Sequence, residues 1–235
     1  MTAELLKPRF AKATNILLEH TIPLLEWGDQ VLQFWDYPIT VSVYDFIIQD
    51  PLIEGAIHHL ESPHIGFKHI DPPSSEKEKG PLGTLGYHFI HKDDDKAQPT
   101  ILHLIPESLV HLKTSDGIHV PSPFDPSHGL FRPKLAQHCI SLIKCMEDYP
   151  NDAKYRLPAE RSLRILLASA VYEKPSIGEK IWIPEDSESE EQFKARQAIA
   201  VTKIEEWDIA EEDEGYREKI INFLKVGHWN LLDMK

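Results

Sequence analysis

Residues 39–48 read Ile39-Thr40-Val41-Ser42-Val43-Tyr44-Asp45-Phe46-Ile47-Ile48, and Asp50-Pro51 follows almost at once. β-Branched and aromatic side chains dominate this run and alternate with polar ones at its start, the pattern of a strand in a sheet. Asp is a good N-cap and proline is favoured at the first helical position. Asp50-Pro51 therefore opens a helix with the apolar face Leu52, Ile53, Ala56, Ile57 and Leu60. Residues 39–61 predict strand, tight turn, helix, with the strand central to its sheet. Asp45 interrupts the apolar run, and a carboxylate there needs solvent or a partner because burying it alone is costly. Structurally it would be an edge-strand carboxylate paired with Arg or Lys. Functionally it would sit at the rim of a pocket between two halves of the chain.

Outward from this unit, residues 3–19 have helical apolar spacing interrupted by Pro8, and Leu24 to Phe34 repeats that spacing up to the break at Pro38. Residues 71–80, rich in Pro, Ser, Glu and Lys, read as a polar exposed loop. Gly86 to His91 and Thr100 to Ile105 read as two strands of a hairpin joined by the charged turn His91-Lys92-Asp93-Asp94-Asp95-Lys96. Short strands are expected around Asp116-Gly117, then an irregular proline-rich stretch from Pro121 to Pro133. The rest is helical: Lys134–Met146, Pro158–Glu173, a third helix opening at Ser187 with acidic residues in its first turn, and Glu214–Val226. Leu163, Leu166, Leu167 and Val171 are expected to pack against Leu142, Ile143 and Met146. The fold class expected is α/β (α+β): a small mixed β-sheet flanked by helices, with a helical C-terminal half. The expected division is a helical extension over 1–24, an α/β core over 25–125 and a packed helical region over 126–235.

Charge and cysteine content narrow the function classes. The 235 residues carry 25 Lys+Arg against 38 Asp+Glu, a formal charge of -13. So acidic a chain repels phosphate backbones, which disfavours general nucleic-acid or anionic-membrane binding. Cys139 and Cys145 cannot form a disulfide framework and point to a reducing compartment. Glu4, Lys7, Arg9 and Lys12 interrupt any apolar leader, and no stretch approaches the roughly 18 apolar residues of a membrane span. The expected location is the cytoplasm, or the nucleus.

The thirteen histidines make a metal centre worth weighing. His58 and His59 are adjacent and point apart, and the three-residue spacing of His88 and His91 puts them on opposite faces of a strand. Surface or partly buried histidine is the simpler reading. His103, Glu107 and His111 would align on a helix, which Pro106 opposes. Cys139 and Cys145 look like small core residues. There is no G-x-S-x-G elbow and no P-loop, and the glycines of Gly80-Pro81-Leu82-Gly83-Thr84-Leu85-Gly86 read as a turn before a strand.

Three segments together carry a resemblance: Glu26-Trp27-Gly28-Asp29-Gln30-Val31-Leu32, Tyr37-Pro38-Ile39-Thr40, and Tyr44-Asp45-Phe46-Ile47-Ile48-Gln49-Asp50. With Ile101-Leu102-His103-Leu104-Ile105-Pro106-Glu107-Ser108 and the helix from Leu163 to Tyr172, they resemble the nucleotidyltransferase-fold proteins of filamentous fungi over residues 22–175. The resemblance implies a sheet of nucleotidyltransferase type. Active members place a Gly-Ser or Gly-Gly turn before a strand bearing D-x-[DE], whose carboxylates share one face and hold metal ions on a nucleotide triphosphate. On this pattern Gly28 matches the first glycine, and Asp29 stands in place of its small partner. Asp45 matches the first carboxylate and the candidate catalytic residue, while Ile47 occupies the second position. Asp50 serves as the N-cap. The third carboxylate falls where the strand holds His103 and, beyond Pro106, Glu107. Gly28, Asp29 and Glu107 are the candidate cofactor-binding residues. No metal ligand set is assigned and no cofactor is expected; Mg²⁺ would serve if the site were active. The departures from that pattern, Ile47 and the missing Gly-Ser, favour a catalytically degenerate member, a pseudoenzyme binding a small molecule, a nucleotide or a protein. The alternative is an active metal-dependent nucleotidyltransferase using Asp45 with Asp29 or Glu107, and a histidine-based metal hydrolase ranks last.

Overall fold

The computed structural model describes residues 3–35, 37–94, 99–150, 153–172 and 189–226. Helix α1 (Ala3–Glu19) leads into β1 (Leu25–Trp27), α2 (Asp29–Phe34), β2 (Val43–Ile48) and α3 (Ile53–Leu60). Then come β3 (Phe67–Ile70), two single-turn helices α4 (Ser74–Lys77) and α5 (Pro81–Thr84), β4 (Tyr87–His91) and β5 (Ile101–Pro106). A hairpin of β6 (Gly117–Pro121) and β7 (Gly129–Pro133) precedes the helices α6 (Leu135–Asp148), α7 (Ala153–Ala170), α8 (Glu190–Glu205) and α9 (Gly215–Val226). The strands form one mixed seven-stranded sheet in the order β3-β4-β5-β2-β1-β7-β6. Strand β2 is its middle strand, antiparallel to β1 and parallel to β5. The fold class is α/β, a mixed sheet flanked by helices.

Side-chain alternation along β2 divides the core in two. Phe46 and Ile48 face α1 and α3, packing with Phe10, Ala13, Leu17, Ala56 and Leu60. Ile47, on the other face, joins Trp27, Ile105, Ile140 and Leu163 in the core made with the C-terminal helices. Helix α1 thus packs directly on the sheet, and the sheet runs past residue 125 to β7.

Several elements differ from expectation for identifiable reasons. Residues 39–42 precede the strand, which begins at Val43. The helix read from Leu24 to Phe34 is a strand followed by a helix. Leu24 and Leu25 are fully buried, β1 lies between β2 and β7, and Gly28 at φ 68° separates the strand from α2. The proline-rich stretch contains β7, with Pro121 and Pro133 each closing its strand of the hairpin, where a missing N–H is tolerated. The 71–80 loop contains α4, with Glu76 only 3% exposed. Asp50-Pro51 does initiate the turn into α3, but Gln49 is the cap residue, and the Asp50 carboxylate accepts a hydrogen bond from the Ser108 hydroxyl at 2.8 Å. The helix start expected at Ser187 and residues 95 and 96 of the 91–96 turn lie outside the described residues. Helix α8 is capped by Ser189, whose hydroxyl accepts from the Gln192 backbone N–H.

Leu142, Ile143 and Met146 of α6 and Leu163, Leu166 and Leu167 of α7 with Val171 just beyond it belong to one buried cluster. Leu167 is fully buried. A Leu167→Ala variant is therefore expected to lose about 2–5 kcal/mol, read as a lower urea midpoint with an unchanged slope. An unshifted midpoint would contradict this packing.

Candidate functional site

The candidate site forms where β1 ends beside β2. Trp27, the last residue of β1, is the ladder partner of Asp45. Beyond Trp27 the chain turns at Gly28 into α2, so β1 no longer supplies ladder partners to β2. Gln30 takes over that role. Its side-chain Nε2 donates to the Asp45 carbonyl at 2.8 Å, and the Asp45 N–H donates to its Oε1 at 3.0 Å. A primary amide mimics a peptide group in this way, so buried Gln30 fixes the backbone that carries the carboxylate.

The Asp45 carboxylate, 8% exposed, meets His103. Strands β2 and β5 run parallel with Asp45 and His103 in register, and His103 Nδ1 lies 2.7 Å from Asp45 Oδ1. His103 Nε2 lies 2.6 Å from the carbonyl oxygen of Leu85. A carboxylate and a carbonyl are both acceptors, so satisfying both contacts takes two ring N–H donors, which an imidazolium has. Asp45 is thus held by a histidine on a central strand, not by Arg or Lys at a sheet edge. Across the β4–β5 ladder, the His88 ring stacks on His103 at 3.9 Å with 16° between planes. Burial, and then the neighbouring His103, lower the His88 pKa to about 3 and keep that ring neutral.

The segment from α4 to β4 covers this pair. Gly86, at φ +88°, lies against the strand; a Cβ there would fall 2.3 Å from the Leu104 carbonyl oxygen and 3.1 Å from His103 Nε2. Lys79 follows α4 and sets its ammonium 3.0 Å from Glu76 Oε1 and 4.0 Å from Asp29 Oδ2. Burial opposes the charge of Lys79, but Asp45, Glu76 and Asp29 together raise its pKa. Burial raises the pKa values of Glu76 and Asp29, Lys79 counteracts it in both, and Asp45 adds to it. Asp29, Asp45 and Glu76 thus lie around Lys79 and the His103 ring, and Arg161 also acts on Asp29.

The sequence-predicted residues are placed unequally. Gly28, Asp29 and Asp45 come together. Glu107 does not join them: it lies four residues beyond His103, about 13 Å along a strand, with its buried Oε2 lacking a hydrogen-bond partner among the described residues. Ile47 is fully buried, paired with Leu25 and Ile105. Gln30, Glu76, Lys79, His88 and His103 complete the group, and sequence reasoning did not assemble them. One signal was available. Val43-Tyr44-Asp45-Phe46-Ile47 and Ile101-Leu102-His103-Leu104-Ile105 carry an Asp and a His, respectively, at the third position of a largely apolar run.

Could a divalent cation be held here? Mg²⁺ demands oxygen ligands in near-octahedral array. Asp45 Oδ1 faces a ring nitrogen of His103, the Lys79 ammonium lies beside Glu76 and Asp29, and Ile47 offers no donor. Among the described residues, no group of three or more His, Cys, Asp or Glu side chains could hold a metal ion. The residues present do not fit the ion. Also among the described residues, no helix is long and apolar enough to cross a membrane.

No family model and no curated protein sequence matches this chain. Among solved structures, it is similar to the antibiotic-resistance factor ANT(2'')-Ia, whose solution structure is described as revealing substrate-regulated conformation dynamics. That likeness has a TM-score of 0.44 and 9% identity, over 72% of this chain and 85% of the other.

Proposed function

We propose that this protein is a catalytically degenerate nucleotidyltransferase-type fold that acts as a binding module for a ligand or a protein partner. One observation carries the reading: the Asp45 carboxylate is hydrogen-bonded to His103 at the in-register position of the neighbouring strand. Phosphoryl chemistry on a triphosphate depends on positive charge placed where negative charge develops. Here the charge compensation runs inward. His103 answers Asp45, and Lys79 answers Glu76 and Asp29, under a segment packed down at Gly86. Ile47, two residues from Asp45 on the same face, is committed to the core.

Calorimetric titration with ATP, GTP, CTP and UTP, each with and without Mg²⁺ or Mn²⁺, tests this reading beside a labelled-nucleotide transfer assay over a panel of acceptors. The expected result is no transfer and no metal-dependent gain in nucleotide affinity. Robust transfer that Asp45→Asn abolishes would establish the active enzyme instead.

A further inference from the structure

A separate cleft of about 330 Å³ opens beside α1. It belongs to the sheet face opposite Asp45, the face on which Phe10 of α1 packs against Phe46 and Phe67. We propose that this cleft binds the phosphate group of a small phosphorylated molecule.

Its lining reverses the charge of the chain. Against a formal charge of -13, Arg9, Lys12 and Lys92 line the cleft with, among the described residues, a single carboxylate, Asp93, whose side chain is 61% exposed. Two of the cations are positioned by the protein. Asp94, its side chain 1% exposed, accepts from Arg9 Nη1 at 2.5 Å, which leaves the other guanidinium N–H groups for a ligand. Lys12 Nζ donates to the His64 carbonyl, which draws the ammonium to the rim and does not neutralise it. Lys92 has no carboxylate partner among the described residues.

His91 supplies a neutral donor. Its Nδ1 accepts the Asp93 backbone N–H at 3.2 Å, so the proton of the neutral ring sits on Nε2. Burial and nearby Arg9 both lower its pKa, in keeping with the neutral form. A guanidinium, two ammoniums and an imidazole N–H suit an anion with several oxygens, and Arg with Lys is a common phosphate-binding pair. Pro8 and Ile65 add apolar wall. The volume is at the lower end for small-molecule sites, which fits a phosphate carried on a short organic body.

Titration of ¹⁵N-labelled protein with inorganic phosphate, with glycerol 3-phosphate and with chloride at matched ionic strength tests the proposal. The expected result is saturable shifts at Arg9, Lys12, His91 and Lys92 with both phosphates and none with chloride. Lys12→Ala and Lys92→Ala are each expected to weaken binding at least about tenfold, the scale of one charge-assisted hydrogen bond. Lys225→Ala on α9 is expected to leave it unchanged. Thermal midpoints confirm folding, and Lys12→Gln and Lys92→Gln replace any alanine variant that does not fold. Non-saturating shifts, equal responses to chloride, or undiminished binding in both lysine variants would overturn the proposal. The outcome is independent of the Asp45 reading, because the two sites lie on opposite faces of the sheet.

Discussion

Ile47→Asp is expected to destabilise the protein by about 4 kcal/mol or more at pH 7, and Mg²⁺ is expected not to restore it. The sequence alone suggests the opposite, since a carboxylate two residues after Asp45 would supply a missing metal ligand. The structure surrounds that position with Trp27, Ile105, Ile140 and other apolar core residues and leaves Ile47 no exposure. A carboxyl there stays protonated. Holding it so about three units above its ordinary pKa of about 3.9 costs about 1.4 kcal/mol per unit, before any loss of isoleucine packing. The sign follows from linkage. A folded-state pKa raised above the unfolded value makes the deficit relative to wild type smallest below about pH 4. The deficit then grows as pH rises and levels off above the folded-state pKa. Urea unfolding of both proteins at pH 4 and pH 7, with and without Mg²⁺, measures it. A variant with the wild-type midpoint and a metal-dependent gain in stability would mean that position 47 opens onto a cation site.

The features legible in the sequence were those set by local periodicity and backbone chemistry. The strand around Asp45, the helix after Asp50-Pro51, the β4–β5 hairpin and the α6–α7 packing all rest on apolar spacing that a single segment displays. Tertiary pairing overrode spacing elsewhere. Leu24 to Phe34 has the spacing of a helix, yet insertion of Leu25–Trp27 between β2 and β7 makes its first half a strand. The stretch from Pro121 to Pro133 looks irregular because its prolines mask a hairpin whose register only the strand pairing reveals. The site divides in the same way. Gly28, Asp29 and Asp45 could be grouped through the resemblance, and the antiparallel pairing of β1 with β2 brings them together. His103 lies 58 residues from Asp45 and meets it only because β2 and β5 pair in parallel with one register. Lys79 and Glu76 lie in a segment whose composition reads as solvent-exposed. The carboxylates beneath give that segment something to bury against.

Gly28→Ala is expected to cost at least about 3 kcal/mol through the site itself, and a double-mutant cycle can separate the two causes. Gly28 has φ 68° and ψ -145°, a conformation that is essentially glycine's alone, and another residue held there is strained by about 1–3 kcal/mol. The second cause is contact. A Cβ at this position would lie 2.1 Å from Asp45 Oδ2, so the carboxylate must move away from His103, and breaking a buried pair costs about 3–5 kcal/mol. In an Asp45→Ala background the oxygen is gone and only the original Asp45 Cβ remains, 3.5 Å from the new methyl, an ordinary contact. Gly28→Ala should then cost only the backbone strain, about 1–3 kcal/mol. The coupling energy between positions 28 and 45 is therefore expected to be about 2 kcal/mol or more, at the upper end for residues in direct contact. Denaturant midpoints of the wild type, the two single variants and the double variant supply it. An equal cost of Gly28→Ala in both backgrounds would mean that the carboxylate does not lie against the glycine. The closed Asp45–His103 pair, on which the binding-module reading rests, would then lose its geometric basis.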